Sequence, residues 1–177
     1  MDFSHISPFE LKDNTFSLID RDWMLVASAN REGVKCGTDY NMMTASWGGL
    51  CILWNKPVAF VFIRPQRHTF TFTERNERMT LSFFGDEWRK ALAFCGKYSG
   101  RDCDKARECS LTPVFDENGG RAVYFDEARL VLVTRKLYAQ QLGEKYALSA
   151  DVPTHYSMND YHMMYVCEIE DVLVADK

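Results

Sequence analysis

Along the chain, apolar residues gather in short clusters divided by polar and turn-forming residues, and long helical stripes are scarce. Thr15 to Ile19 and Trp23 to Ala29 are β-branched, aromatic and partly alternating, which predicts two strands. Asn30-Arg31-Glu32-Gly33 then predicts a turn, with Gly33 free to take positive φ, leading to a hairpin partner over Val34 to Thr38. Val58-Ala59-Phe60-Val61-Phe62-Ile63 is an unbroken apolar run and predicts a buried strand, with Pro57 before its start and Pro65 just past its end. Met79 to Phe84 and Leu130 to Ala139 predict further strands. Tyr161 to Val174 predicts one or two more, broken at Glu170-Asp171.

Helical signals are fewer. Asp86 to Cys95 places Trp88, Leu92 and Cys95 on one face, with Asp86 as cap, Glu87 at the positive end of the dipole and Gly96 as terminator. Asp104 to Cys109 predicts a second short helix. Many short strands with few helices argue against a doubly wound sheet and for a mainly β fold, a barrel with peripheral helices. No Gly-x-Gly-x-x-Gly follows a strand, so a Rossmann nucleotide site is not expected.

Composition narrows the class. At 177 residues the chain is expected to form one domain over 1–177, and 46% hydrophobic with 14% aromatic residues is enough for a sizeable core. A net charge of −4 gives no bulk attraction to nucleic acid or anionic membrane. No apolar run reaches about 18 residues, and no basic cluster precedes an apolar stretch near Met1, so a cytoplasmic protein is expected. The six cysteines, at 36, 51, 95, 103, 109 and 167, form no close pair and are expected to be reduced; no metal site is predicted.

Three clusters carry candidate chemistry. Asn41-Met42-Met43-Thr44-Ala45-Ser46-Trp47-Gly48-Gly49 combines an amide, hydroxyls, an indole and glycines that let a ligand approach the backbone, a set suited to a planar heterocycle with polar edges. The bland alternative is a loop entering a strand, with Trp47 in the core. Arg64-Pro65-Gln66-Arg67-His68-Thr69 sets two arginines beside a helix N-terminus if Thr69 caps a helix running to about Asn76, which makes a good phosphate site. Yet Thr69-Phe70-Thr71-Phe72-Thr73 alternates like a strand, and a solvated basic loop is the alternative. Cys95 to Lys105, with Gly96, Ser99, Arg101 and Lys105, could form a flap over a phosphate or sugar, or a plain surface connection. No nucleophile elbow, P-loop or zinc-protease pair occurs, so a reactive group would come with a cofactor.

Taken in order and spacing, Tyr40 through Gly49, Asn55-Lys56-Pro57-Val58, Ile63 through Thr69, Leu81-Ser82-Phe83-Phe84, Phe94-Cys95-Gly96 and Ser99-Gly100-Arg101-Asp102 resemble the flavin reductase-like family of FMN-binding split barrels, in the branch that includes flavoredoxin. Weaker similarity covers Lys12 to Ala29 and Tyr161 to Val174. The resemblance implies a six-stranded antiparallel split β-barrel, and a homodimer with FMN near the subunit interface. It implies that Asn41, Thr44, Ala45, Ser46 and Trp47 border the isoalloxazine and ribityl portions. Arg64, Gln66, Arg67 and Thr69 would hold ribityl and phosphate, and Phe83 with Cys95, Gly96, Ser99, Arg101 and Lys105 would close the pocket. It also favours a true helix after Thr69. Lys97 and Tyr98 depart from the family pattern, which bears on access to the flavin, and Cys167 replaces a frequent glycine.

The leading expectation is hydride transfer from NADH or NADPH to FMN, with onward electron transfer to free flavin, iron or a redox protein partner. The alternatives are a flavoredoxin-type electron-transfer protein that takes electrons from a protein donor without NAD(P)H, and a ligand-binding barrel without turnover.

Overall fold

A computed structural model describes residues 2–30, 33, 35–115 and 122–176. In chain order it comprises β1 (Phe3–Ile6), α1 (Thr15–Ser17), β2 (Met24–Ala29), β3 (Tyr40–Ala45), β4 (Gly48–Leu53), β5 (Lys56–Ile63), α2 (His68–Arg75), β6 (Arg78–Phe83), α3 (Arg89–Lys97), α4 (Lys105–Glu108), β7 (Pro113–Phe115), β8 (Val123–Phe125), β9 (Leu130–Gln141), α5 (Asp151–Thr154) and β10 (Met163–Ala175). An eight-stranded sheet runs β3-β2-β6-β9-β10-β5-β4, with β1 added beside the far end of β10, and β7 and β8 form a separate pair. Every ladder between these strands is antiparallel. The resemblance implied six strands, and β1 and β4 are among those that take the sheet to eight.

The period-two alternation of the strands decides which side chains meet. Met24 and Val26 of β2, Met43 and Ala45 of β3, Val61 and Ile63 of β5, Leu81 and Phe83 of β6, Leu132 of β9 and Tyr165 of β10 share one buried cluster. Residues from both ends of the strand order thus pack into one core, so the sheet curls around it. The opposite faces of β2 and β3, with Leu25, Ala27, Tyr40 and Met42, are covered by Leu92 and Cys95 of α3, Ala106 of α4, and Val123 and Phe125 of β8. Among the described residues no ladder joins β3 to β4, and only Ser46 and Trp47 connect them.

Several local expectations are corrected. Thr15 to Ile19 is helical: the Asn14 side chain accepts from the Phe16 and Ser17 amides at 3.1 Å each, and this cap outweighs β-propensity. The hairpin partner of β2 is β3, which starts at Tyr40, and Gly37 at φ 86° turns the chain just before it. Val34 and half of the expected Asn30–Gly33 turn (Arg31 and Glu32) lie outside the described residues. Pro57 lies inside β5 opposite Ile52, beyond the stretch that pairs with β10, so its missing amide breaks no bond to that strand. Asp86 opens a short 3-10 turn whose cap is Gly85, and α3 follows it; Gly96 does not end α3, because the Tyr98 amide still donates to the Phe94 carbonyl at 2.9 Å. The stretch after Arg67 is helical despite its alternation, because Thr69, Phe72 and Thr73 bury one face at helical spacing. It begins at His68 with Arg67, not Thr69, in the cap position, two residues before the expected start. The Glu170 break is a register shift inside β10, and the strand runs through it. Among the described residues no helix is long and apolar enough to cross a membrane.

Candidate functional site

At the end of β3 and its link to β4 lies a cavity of about 300 Å³ lined by Met43, Thr44, Ala45, Ser46, Trp47, Phe62, Arg64, Arg67, Gly96 and His162. Each wall has a local cause. Thr44 lies at the end of β3, and its hydroxyl donates to the Leu92 carbonyl at 2.6 Å, which pins α3 beside the strand. Ser46 and Trp47 form the tight link to β4. On β5, Ala59, Val61 and Ile63 point into the core, so Phe62 turns outward into the cavity. The chain then leaves β5 through Arg64 and re-enters a helix at His68, leaving Arg67 at the mouth of α2 with no side chain capping that helix.

The two arginines differ in surroundings. Arg64 donates to the Asp160 carboxylate and, at 2.9 Å, to the His155 carbonyl, while its guanidinium lies 5.3 Å from the Tyr156 ring centre. Gln66 donates to the same Asp160 oxygen. Arg64 therefore holds the Asp160 carboxyl below the usual carboxylate range. Arg67 donates to the Gly96 carbonyl at 2.6 Å and makes no ion pair among the described residues. Burial, with Arg64 beside it, holds the Arg67 guanidinium below its ordinary value. An arginine offers five donors, so most of this fork is unclaimed.

Beside Arg64, His162 is buried and bonds to the Tyr156 hydroxyl through Nδ1 at 3.0 Å. Burial and then the Arg64 charge push its pKa down to about 4, so the ring is neutral at pH 7. Trp47 packs its indole against His162 and His155, with ring centres 5.1 and 5.5 Å apart. The site thus has one aromatic wall, one cationic corner and the Gly96 carbonyl of α3.

Of the residues expected from the sequence, Thr44, Ala45, Ser46, Trp47, Arg64, Arg67 and Gly96 meet at this cavity. Asn41 and Thr69 are buried behind it, the Asn41 amide donating to the Thr69 hydroxyl at 3.0 Å. Gln66 is exposed and engaged by Asp160. Phe83 belongs to the core enclosed by the curled sheet and Cys95 to the core under α3, and neither lines the cavity. Lys105 is almost entirely buried, and its ammonium donates to the Met42 and Cys95 carbonyls, tying α4 to β3 and α3. Burial holds that amine below an ordinary lysine. Ser99 and Arg101 sit in the loop between α3 and α4, outside the lining. Gly48 and Gly49 border a different hollow of about 430 Å³ beside Phe16 and Ile19.

The segment His155 to His162 holds none of the expected site residues, and His162 fell within the strand expected over Tyr161 to Val174. The signal lies in the pairing: β10 and β5 run antiparallel with Met163 opposite Ile63. Continuing that register by one residue brings His162 alongside Arg64.

No protein-family model matches the chain, and no curated protein sequence does. Solved structures do. Flavoredoxin of Desulfovibrio vulgaris (Miyazaki F) superposes with a TM-score of 0.65 at 22% identity, over 87% of this chain and 69% of that one. Flavoredoxin from Methanosarcina acetivorans gives 0.67 at 18% identity, over 97% and 77%. Nitrilotriacetate monooxygenase component B from Bacillus cereus gives 0.67 at 17% identity, over 97% and 81%. The chain therefore has the fold of these proteins, and the expected likeness to flavin reductase-like FMN-binding domains holds at the level of fold.

Proposed function

We propose that this chain is a flavin reductase-like protein that binds FMN in the cavity between the end of β3, the end of β5 and α3, and passes electrons through it, with NADH or NADPH as the hydride source. One observation carries the reading: Arg67, partly buried at the mouth of an uncapped helix beside a second arginine, has no carboxylate partner among the described residues. A phosphate there removes the repulsion between the two guanidinium groups and fills the free donors of the fork and of the helix terminus.

The remaining lining fits the rest of the molecule. Ser46 and the β3–β4 link offer a hydroxyl and backbone amides to the polar edge of a flat ring, while Trp47, Phe62 and His162 offer apolar and aromatic surface. Bound FMN supplies a ring that accepts a hydride or two electrons. The chain supplies grip at the phosphate and a neutral imidazole at the ring side. The curled sheet, open between β3 and β4, is read as the split barrel.

A homodimer with the cofactor near the interface belongs to this proposal. The outer edge of β4 has no pairing strand among the described residues, and Ile52, Trp54 and Tyr138 are exposed around it.

The test is an anaerobic titration. The protein is loaded with FMN, freed of excess ligand, and mixed with NADH or NADPH while the flavin absorbance is followed. Bleaching by one of the two nucleotides is expected. Failure to retain FMN removes the whole proposal. Retention of FMN that only a reduced ferredoxin can bleach removes the hydride step and leaves an electron-transfer protein.

A further inference from the structure

Beyond the cavity, the sharpest unused chemistry lies at the two ends of the segment that carries Gly96. Cys95, in α3, is fully buried, and Cys109, just after α4, is partly exposed. Their sulfurs are 3.9 Å apart. The Cys109 sulfur also faces the Ala91 carbonyl at 3.7 Å, so it is seated along α3. We propose that Cys95 and Cys109 are an oxidant-sensitive dithiol, in which Cys109 is the thiol attacked first and Cys95 the thiol that resolves it into a disulfide.

Three features set this pair apart from the other four cysteines. The first is contact: the two sulfurs lie 3.9 Å apart, and a disulfide needs them to close to about 2 Å. The second is access, since Cys109 is reachable from solvent and Cys95 is not. The third is charge. The bond to Cys95, followed by the buried Lys105 ammonium, favours the Cys109 thiolate, whereas the same bond and burial disfavour the Cys95 thiolate. By comparison, the exposed Cys51 and buried Cys167 have no such neighbour among the described residues, Cys36 faces the Met42 thioether at 3.7 Å, which cannot form a disulfide, and the partly exposed Cys103 turns its thiol to the Ser99 carbonyl at 3.6 Å.

The chemistry balances with a peroxide as oxidant. The Cys109 thiolate attacks one oxygen of hydrogen peroxide, the S–O bond forms, the O–O bond breaks, and the departing hydroxide takes a proton to leave as water. The Cys95 sulfur then attacks the Cys109 sulfur, the S–O bond breaks, and a second water leaves with the Cys95 proton. Two thiols have been oxidised and one peroxide reduced. A small dithiol reductant reverses the bond by exchange. The new bond closes the loop from α3 to the end of α4, the loop whose Gly96 carbonyl receives Arg67.

The test uses the whole protein, with a few equivalents of hydrogen peroxide, then an alkylating agent, then digestion without reductant and mass spectrometry. The expected result is a peptide pair joined through Cys95 and Cys109, lighter by about 2 Da than the sum of the reduced peptides, which separates on adding dithiothreitol. Cys51, Cys36 and Cys167 should be found alkylated or untouched. Recovery of Cys95 and Cys109 as thiols while Cys51 or Cys103 is oxidised overturns the proposal, as does a bond from Cys109 to Cys103. The order of attack is read from variants. Cys109→Ala should leave Cys95 unmodified, and oxidation of Cys95 in that variant overturns the order. Cys95→Ala should leave a sulfenic acid on Cys109 that a dimedone probe traps; because that variant alters a buried site, the wild-type peptide map decides if it does not fold.

Discussion

Arg64 and Arg67 stand three residues apart and line the same cavity, yet the fold treats them differently. Arg64 is neutralised: Asp160 takes its charge, the His155 carbonyl takes another donor, and the Tyr156 ring lies under its plane. Arg67, likewise partly buried, has a single carbonyl partner among the described residues. The difference teaches which of two like residues in one motif is kept for a ligand. A charge that its own chain has already satisfied holds the scaffold together, and a charge left uncompensated at a cavity is available for an outside anion. The corner behind Arg67 is correspondingly rigid. A side chain added at Gly37 would come within 1.9 Å of the Gly100 backbone carbonyl oxygen, and one at Gly100 within 2.2 Å of the Asn41 side-chain amide oxygen.

The largest expected effect breaks that corner. Gly37→Ala meets the Gly100 carbonyl and must hold φ at 86°, and the two penalties together should destabilise the fold by about 3 kcal/mol. Urea denaturation measures it. A wild-type midpoint would mean that the α3–α4 loop parts from the turn at no expense, and the Arg67 side would then not be the rigid one.

The next effect belongs to the other side. Unfolded, His162 binds a proton near 6.5; folded, against Arg64, only near 4. The unfolded chain therefore holds more protons between those values, so stability is full above pH 6.5 and falls as the solution is acidified toward pH 4. The loss amounts to about 3 kcal/mol at most, and His162→Gln should flatten the profile over that window. An unchanged slope in the variant would assign the acid sensitivity to other groups.

How much of this was legible in the sequence follows from the range of the forces involved. The strands of the core were visible because a buried strand needs an apolar run such as Val58 to Ile63 whatever its partners. The fault at Thr15 to Ile19 shows the opposite case: a single Asn14 side chain accepting two amides reversed a pattern of β-branched residues. The motif from Arg64 to Thr69 was visible as a cationic corner, but its division into a satisfied and an unsatisfied arginine was not. That division depends on Asp160, 96 residues beyond Arg64, and only the β5–β10 register brings it near. Likewise Cys95 and Lys105 looked like flap residues because they flank glycines, whereas long-range packing turned both inward.

The third expectation tests the kept charge directly. Arg67→Ala should weaken FMN binding by about 1.5–3 kcal/mol, roughly ten- to more than a hundredfold in Kd, with little change in folding stability. Fluorescence titration of the flavin measures the affinity and denaturation the stability. Equal affinity in variant and wild type would remove Arg67 from the phosphate site.

The smallest effect is the most discriminating, because it changes sign. Asp160→Asn keeps the shape of the side chain and removes the charge that neutralises Arg64. Arg64 then joins Arg67 as a second uncompensated cation at the cavity. FMN affinity should rise a few-fold at low ionic strength, and the gain should shrink as salt screens the part-exposed guanidinium. Arg64→Ala should lower affinity by less than about 1 kcal/mol, because in the wild type that charge is already matched. If Arg64→Ala weakens binding as much as Arg67→Ala and Asp160→Asn weakens it too, then Arg64 and Asp160 act on the ligand as a unit. The two arginines would then share the anion, and the contrast between them would belong only to the ligand-free chain.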